Sequence, residues 1–143
     1  MRKDAINVYK KIQKTAEKAI KTIDTLSDKV YDEGLSTEIS KQVVEYAEIH
    51  NRALKELVDA KADVERSSTV DDFMLKAGIH YSTLLNTSTG HVAELIIKKC
   101  SEGMLEMEKV LRHNEEAEHS AVALARELLS AEERNMGALK SYL

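Results

Sequence analysis

Ala47-Glu48-Ile49-His50-Asn51-Arg52-Ala53-Leu54-Lys55-Glu56-Leu57 is the stretch whose reading decides the fold. Its counterpart is Glu132-Glu133-Arg134-Asn135-Met136-Gly137-Ala138-Leu139-Lys140-Ser141-Tyr142. Laid in register, Ala53-Leu54-Lys55 falls on Ala138-Leu139-Lys140, His50 on Asn135 and Ala47 on Glu132. One segment reads A-x-x-H-x-x-x-L and the other E-x-x-N-x-x-x-L. Each is half of an E-x-x-H motif, with the other half lost on opposite sides. Residues three apart share a helix face, and Glu/His pairs on facing helices are a way for bundles to hold metal ions. The repeat therefore predicts a helical bundle whose ligand pattern is broken.

Working outward, four amphipathic segments carry apolar residues at alternating three- and four-residue spacing, the mark of one buried helix face. The first runs from about Asp4 to Tyr31, with Ile6, Tyr9, Ile12, Ala16, Ile20, Ile23, Leu26 and Val30 inward. Gly34 suits a left-handed C-terminal cap, and Ser36 or Thr37 an N-cap. The second runs from about Thr37 to Arg66, with Ile39, Val43, Tyr46/Ala47, His50, Leu54, Leu57, Lys61 and Val64 inward. Ser68-x-x-Asp71 and Thr69-x-x-Asp72 resemble capping boxes that would open a helical stretch near Asp71. Asn86-Thr87-Ser88-Thr89-Gly90 is the weakest stretch for a helix and reads as a break, a kink or part of a crossover. The third main helix carries Ala93, Ile96, Cys100, Gly103/Met104, Met107 and Val110/Leu111. Asn114 is a good N-cap for the fourth, whose stripe is Val122, Ala125, Leu128/Leu129, Glu132, Met136, Leu139 and Leu143.

Composition agrees with an all-α reading. The chain has 143 residues, no proline and no tryptophan. Without proline, nothing removes backbone donors inside long helices. No Pro/Ser-rich linker divides the chain, so residues 1–143 read as a single domain. The net charge of −4 does not favour a nucleic-acid partner. Cys100 is the only cysteine, which excludes an internal disulfide and fits a reducing compartment. Met1-Arg2-Lys3-Asp4 is followed by no apolar run of the kind a secretory signal needs. No segment has the ~18 apolar residues of a membrane span. The expectation is a cytoplasmic protein that engages neither membrane nor nucleic acid.

His50 and Glu132 fall at the centres of the second and fourth apolar stripes, near mid-height, with Cys100 close to the same layer. An unsatisfied charge in an apolar core is very unfavourable, so the first expectation is a buried His50–Glu132 hydrogen-bonded pair that sets helix register. The second is a metal site formed by His50, Glu132 and Cys100. Other signals are weaker. Glu116-x-x-His119 faces away from the fourth stripe, and His80 and His91 read as exposed or capping residues. Lys10, Lys14, Lys18 and Lys21 form a basic stripe opposite the first core face, read as a solvated face or, alternatively, a surface for an anionic partner. There is no G-x-x-x-x-G-K-[ST], G-x-S-x-G or C-x-x-C, so nucleotide-binding and hydrolase readings find no support.

With Ala47-x-x-His50 and Glu132-x-x-Asn135 at mirrored positions, the chain resembles the ferritin-like superfamily, including rubrerythrin-type proteins. The resemblance implies a four-helix bundle with an irregular or crossover segment between the second and third main helices. It also implies a di-iron centre, built from one inward carboxylate on each of two helices and an E-x-x-H on each of the others. Carried over by position, His50 and Glu132 survive, while Ala47 and Asn135 break the motifs. Glu17 and Glu102 have the right spacing for the remaining carboxylates but point away from the apolar stripes, where Ala16 and Cys100 stand instead. The expectation is the scaffold without an intact di-iron site. Three functions follow. The leading one is a non-catalytic interaction domain that forms homo-oligomers. The second is a metal-binding or redox protein holding a single divalent ion, such as zinc, at His50/Glu132 with Cys100. The third is a small-molecule pocket near Ala16, Ala47 and Gly103, where small residues leave room.

Overall fold

The computed structural model describes residues 3–63, 69–85 and 88–143. Five α-helices follow one another, α1 (Lys3–Leu26), α2 (Glu33–Asp59), α3 (Thr69–Leu85), α4 (Thr89–His113) and α5 (His119–Lys140), with a 3-10 turn at Ser27–Lys29. The described residues contain no β-strand. The fold is all-α. Each of the four longer helices buries one apolar stripe, and these meet in one core that includes Ile12, Leu26, Leu35, Tyr46, Leu57, Ile96, Met107, Leu128 and Leu139.

Side-chain pairings give the helix directions. Asn7 with Asn114, Lys11 with Glu106 and Thr15 with Met107 run α1 and α4 antiparallel. Glu45 with Arg134 and Arg52 with Glu127 do the same for α2 and α5. At one end, the Glu116 N–H donates to Asp4 Oδ2 (3.1 Å) and Tyr9 Oη lies 3.2 Å from Ser120 Oγ. At the other end, Tyr142 lies over Gly34 at the start of α2, and the Tyr142–Leu143 backbone lies against Gly90 at the start of α4. Helices α2 and α4 therefore start at the same end and run parallel. The end of α2 and the start of α4 therefore lie at opposite ends, and α3, which falls between them in the chain, lies against α1 and α4. Lys21 Nζ joins it to α1 through Asp72 Oδ1 and Oδ2 (2.8 and 2.9 Å).

Several helix ends differ from the sequence expectations. Asp32, rather than Ser36 or Thr37, caps α2 by accepting from the Leu35 N–H (2.8 Å). Gly34 lies inside the first turn of α2, and no described glycine has positive φ. Its lack of a side chain has another use: a Cβ there would come within 2.9 Å of Tyr142 Oη. Helix α2 ends at Asp59 rather than continuing to Arg66. Lys61 takes the left-handed conformation (φ 56°), the Ala62 N–H donates to the Leu57 carbonyl and the Lys61 N–H to the Val58 carbonyl. These two bonds form a Schellman cap, which removes Lys61 from the apolar stripe. Val64, Arg66 and Ser68, and with Ser68 one of the two capping boxes, lie outside the described residues, as do Asn86 and Thr87. Ser88 caps α4 by accepting from the His91 N–H (3.3 Å). Asn114 closes α4 instead of opening α5: its amide donates to the Val110 carbonyl (2.7 Å), a free acceptor of the last turn.

Candidate functional site

The buried face of α2 is Leu35, Ile39, Gln42, Tyr46, Ile49, Ala53 and Leu57. This stripe is rotated from the one expected, because Ile49 and Ala53, not His50 and Leu54, complete the core-facing spacing. His50 is left half-buried on the flank. Its Nε2 lies 3.0 Å from Gln13 Nε2, and its Nδ1 lies 3.3 Å from Asn51 Oδ1. With the Gln13 amide donating, His50 Nε2 accepts and Nδ1 carries the proton. The second Gln13 N–H donates to Glu17 Oε2 (2.8 Å), and Glu17 Oε1 is 2.8 Å from Lys21 Nζ, which also holds Asp72. A polar chain thus runs along α1 from His50 to α3. Gln13, absent from the sequence candidates, is its hinge. A glutamine at the edge of an apolar stripe gives no local sign of such a role.

Glu132 has a different setting. It is 1% exposed, and it is the only buried acid among the described residues. Among the described residues neither carboxyl oxygen has a hydrogen-bond partner, and the expected pair with His50 is not formed. Burial pushes its pKa up to about 8. Helix α4 makes room for it at Gly103, where a Cβ would lie 2.8 Å from Glu132 Oε2, 3.1 Å from Oε1 and 3.2 Å from Thr15 Cγ2. The carboxyl group thus lies directly against the bare α4 backbone. Beside it, Tyr46 Oη lies 3.5 Å from Cys100 Sγ. Burial pushes the Cys100 thiol up to about 11 and raises the Tyr46 phenol as well, so both stay protonated. Asn135, one turn from Glu132, is buried beside Tyr46, and its Nδ2 lies within hydrogen-bond distance of no acceptor among the described residues.

A cleft of about 700 Å³ opens over this cluster. Glu132, Tyr46, Cys100, Gly103 and Thr15 line its depth, Ala19, Thr22, Ile23 and Ile96 its apolar wall, and Met74 and Leu75 of α3 one side. Its charged lining comprises Lys11, Lys14, Lys18, Lys99, Asp72, Glu102 and Glu106. The three acids at the mouth are paired: Glu106 with Lys11 (3.2 Å), Glu102 with Lys99 (3.3 Å) and Asp72 with Lys21 (2.8 Å). Lys11 holds the Glu106 carboxyl below its ordinary range. Lys14 and Lys18 have no ion pair among the described residues. Two members of the basic stripe therefore border a cleft. The sequence places them on one helix face but gives no sign that α3 and α4 flank that face.

Of the three proposed metal ligands, Cys100 and Glu132 share the cleft, and His50 is turned to Gln13 and Asn51. Among the described residues, no three His, Cys, Asp or Glu side chains gather to hold a metal ion. The donors also do not fit the two irons that the family resemblance implies. Glu17 is tied to Gln13 and Lys21, Glu102 is exposed beside Lys99, and Glu132 is left as a single enclosed carboxyl. Glu116 and His119 are both exposed. No described helix is long and apolar enough to cross a membrane. Comparison with known proteins returns no matching family model, no matching curated protein and no matching solved structure.

Proposed function

We propose that this protein is a ferritin-like four-helix bundle that binds a small molecule, rather than a di-iron centre, in the cleft over Glu132. The observation that carries the reading is a fully enclosed carboxyl with both oxygens unpartnered in the depth of a cleft. Buried polar groups are normally hydrogen-bonded, and clefts of ~300–1,000 Å³ with apolar walls and a few converging polar groups are the usual form of small-molecule sites. The parallel course of α2 and α4, with a long return between them, supports the ferritin-like architecture. The lack of the remaining carboxylates among the described residues argues against a di-iron role. A fragment screen by ¹H–¹⁵N correlation NMR tests the proposal. The expected hits shift the amides of Thr15, Gly103 and Glu132 together. Hits that cluster elsewhere and leave those three amides unmoved reject it.

An interaction domain forming homo-oligomers is the second reading. It draws on Phe73 and Met74, adjacent on α3 and 70% and 65% exposed. Light scattering coupled to size exclusion decides it. A dimer that a Phe73→Ser/Met74→Ser variant converts to monomer supports it, and a monomer at all concentrations removes it.

A further inference from the structure

We propose that the cleft takes a small organic anion, with its charged group held at the mouth by Lys14 and Lys18 and its apolar body against Ala19, Ile23 and Ile96 above Glu132. This inference rests on the ligand-binding reading and adds the chemical class of the ligand. The charge argument comes from pairing. Glu106 and Glu102 are each paired with a lysine and Asp72 shares Lys21 with Glu17, so the mouth lysines that hold no acid among the described residues are Lys14 and Lys18. Clefts with low-dielectric walls focus such a field on an entering ion. The protein is acidic overall, at −4, so this positive mouth runs against its general charge.

The depth of the cleft sets the other end of the ligand. Glu132 meets Tyr46 from α2, Cys100 and Gly103 from α4 and Thr15 from α1, and none of these carries a charge at neutral pH. Among the described residues no cation on the cleft floor stabilises an ionised carboxylate there. A neutral carboxyl offers one O–H donor and an acceptor oxygen. Its complement is an uncharged group such as an amide, a hydroxyl or an aromatic N–H. A ligand carrying its anion at this end would face the carboxyl group across an apolar wall, and an ammonium ligand would have to pass Lys14 and Lys18. The arrangement selects a molecule with its anion at one end and an uncharged hydrogen-bonding group towards the other.

Two fluorescent probes that differ only in charge test this. 1-Anilinonaphthalene-8-sulfonate carries a sulfonate, and N-phenyl-1-naphthylamine is the same ring system without it. The sulfonate probe is expected to bind at least tenfold more tightly than its uncharged parent. A Lys14→Gln/Lys18→Gln variant is expected to remove most of that difference while leaving the parent's affinity unchanged. Lys10→Gln, on α1 but outside the cleft, changes neither. Equal affinities for the two probes, with no response to Lys14→Gln/Lys18→Gln, overturn the anion class and leave the cleft intact as a site. An Ala19→Phe variant that fills the cleft separates the two levels of the argument, with circular dichroism confirming its fold. If it leaves binding of both probes unchanged, or if wild type binds neither probe, the cleft itself falls as the site.

Discussion

Replacing Glu132 by glutamine removes a titrating group from the core while keeping its shape. The wild-type carboxyl is held protonated up to about pH 8 by burial, against an ordinary value of 4.5 in the unfolded chain. Between these two values the unfolded state binds fewer protons than the native state, so native stability falls as pH rises. The contribution of the neutral carboxyl is fully present below pH 4.5 and is lost as pH climbs towards 8. Each pH unit in that window removes about 1.4 kcal/mol, and the whole window about 5 kcal/mol. A loss of that size is comparable to the total stability of many domains. Glu132→Gln does not titrate and escapes this loss. Urea denaturation of both proteins at pH 5, 6, 7 and 8 isolates the term, because other titrating groups cancel in the difference. The two should have similar stability at pH 5, and the variant should gain by about 1.4 kcal/mol per pH unit thereafter. Parallel stability curves from pH 5 to 8 would refute the claim that the acid is enclosed and unpartnered.

Two further perturbations probe the same cluster. Gly103→Ala places a methyl 2.8 Å from Glu132 Oε2 and 3.2 Å from Thr15 Cγ2. Overpacking should outweigh the helix-propensity gain and destabilise by about 1–3 kcal/mol, and a Glu132→Ala background should recover much of that loss in a double-mutant cycle. Cys100 should react with a thiol reagent at pH 8 roughly a hundredfold more slowly in the native protein than in urea, because burial lifts its pKa from 9.0 to about 11. Mass spectrometry of timed alkylation reads this directly, and equal rates would show the thiol to be open to solvent.

The helical character of this chain was legible from spacing alone. Each stripe of apolar residues obeys the 3.6-residue period, no proline interrupts it, and a stripe of that width is stable only when buried. Helix ends were less legible, because caps are made by whichever polar atom the local backbone brings into reach. Asn114 has the chemistry to open α5 and the structure uses it to close α4. Lys61 falls at the spacing of the apolar stripe, and its left-handed backbone ends the helix before that stripe can continue.

The inward place of Glu132 could be read from one helix, since its neighbours along α5 define the buried face. Rotation of α2 by one position, which took His50 out of the core and put Ile49 in, could not, because both residues lie within the same arc and packing against α1 and α5 chose between them. The cleft lies one level further away. Lys14 and Lys18 from α1, Gly103 and Cys100 from α4, Tyr46 from α2 and Leu75 from α3 belong to four helices, and no spacing along the chain relates them. The local period of the backbone determined that there would be helices and which faces they would bury. Only the meeting of those faces decided that one carboxyl would be enclosed without a partner, because burial and pairing depend on neighbours distant in sequence.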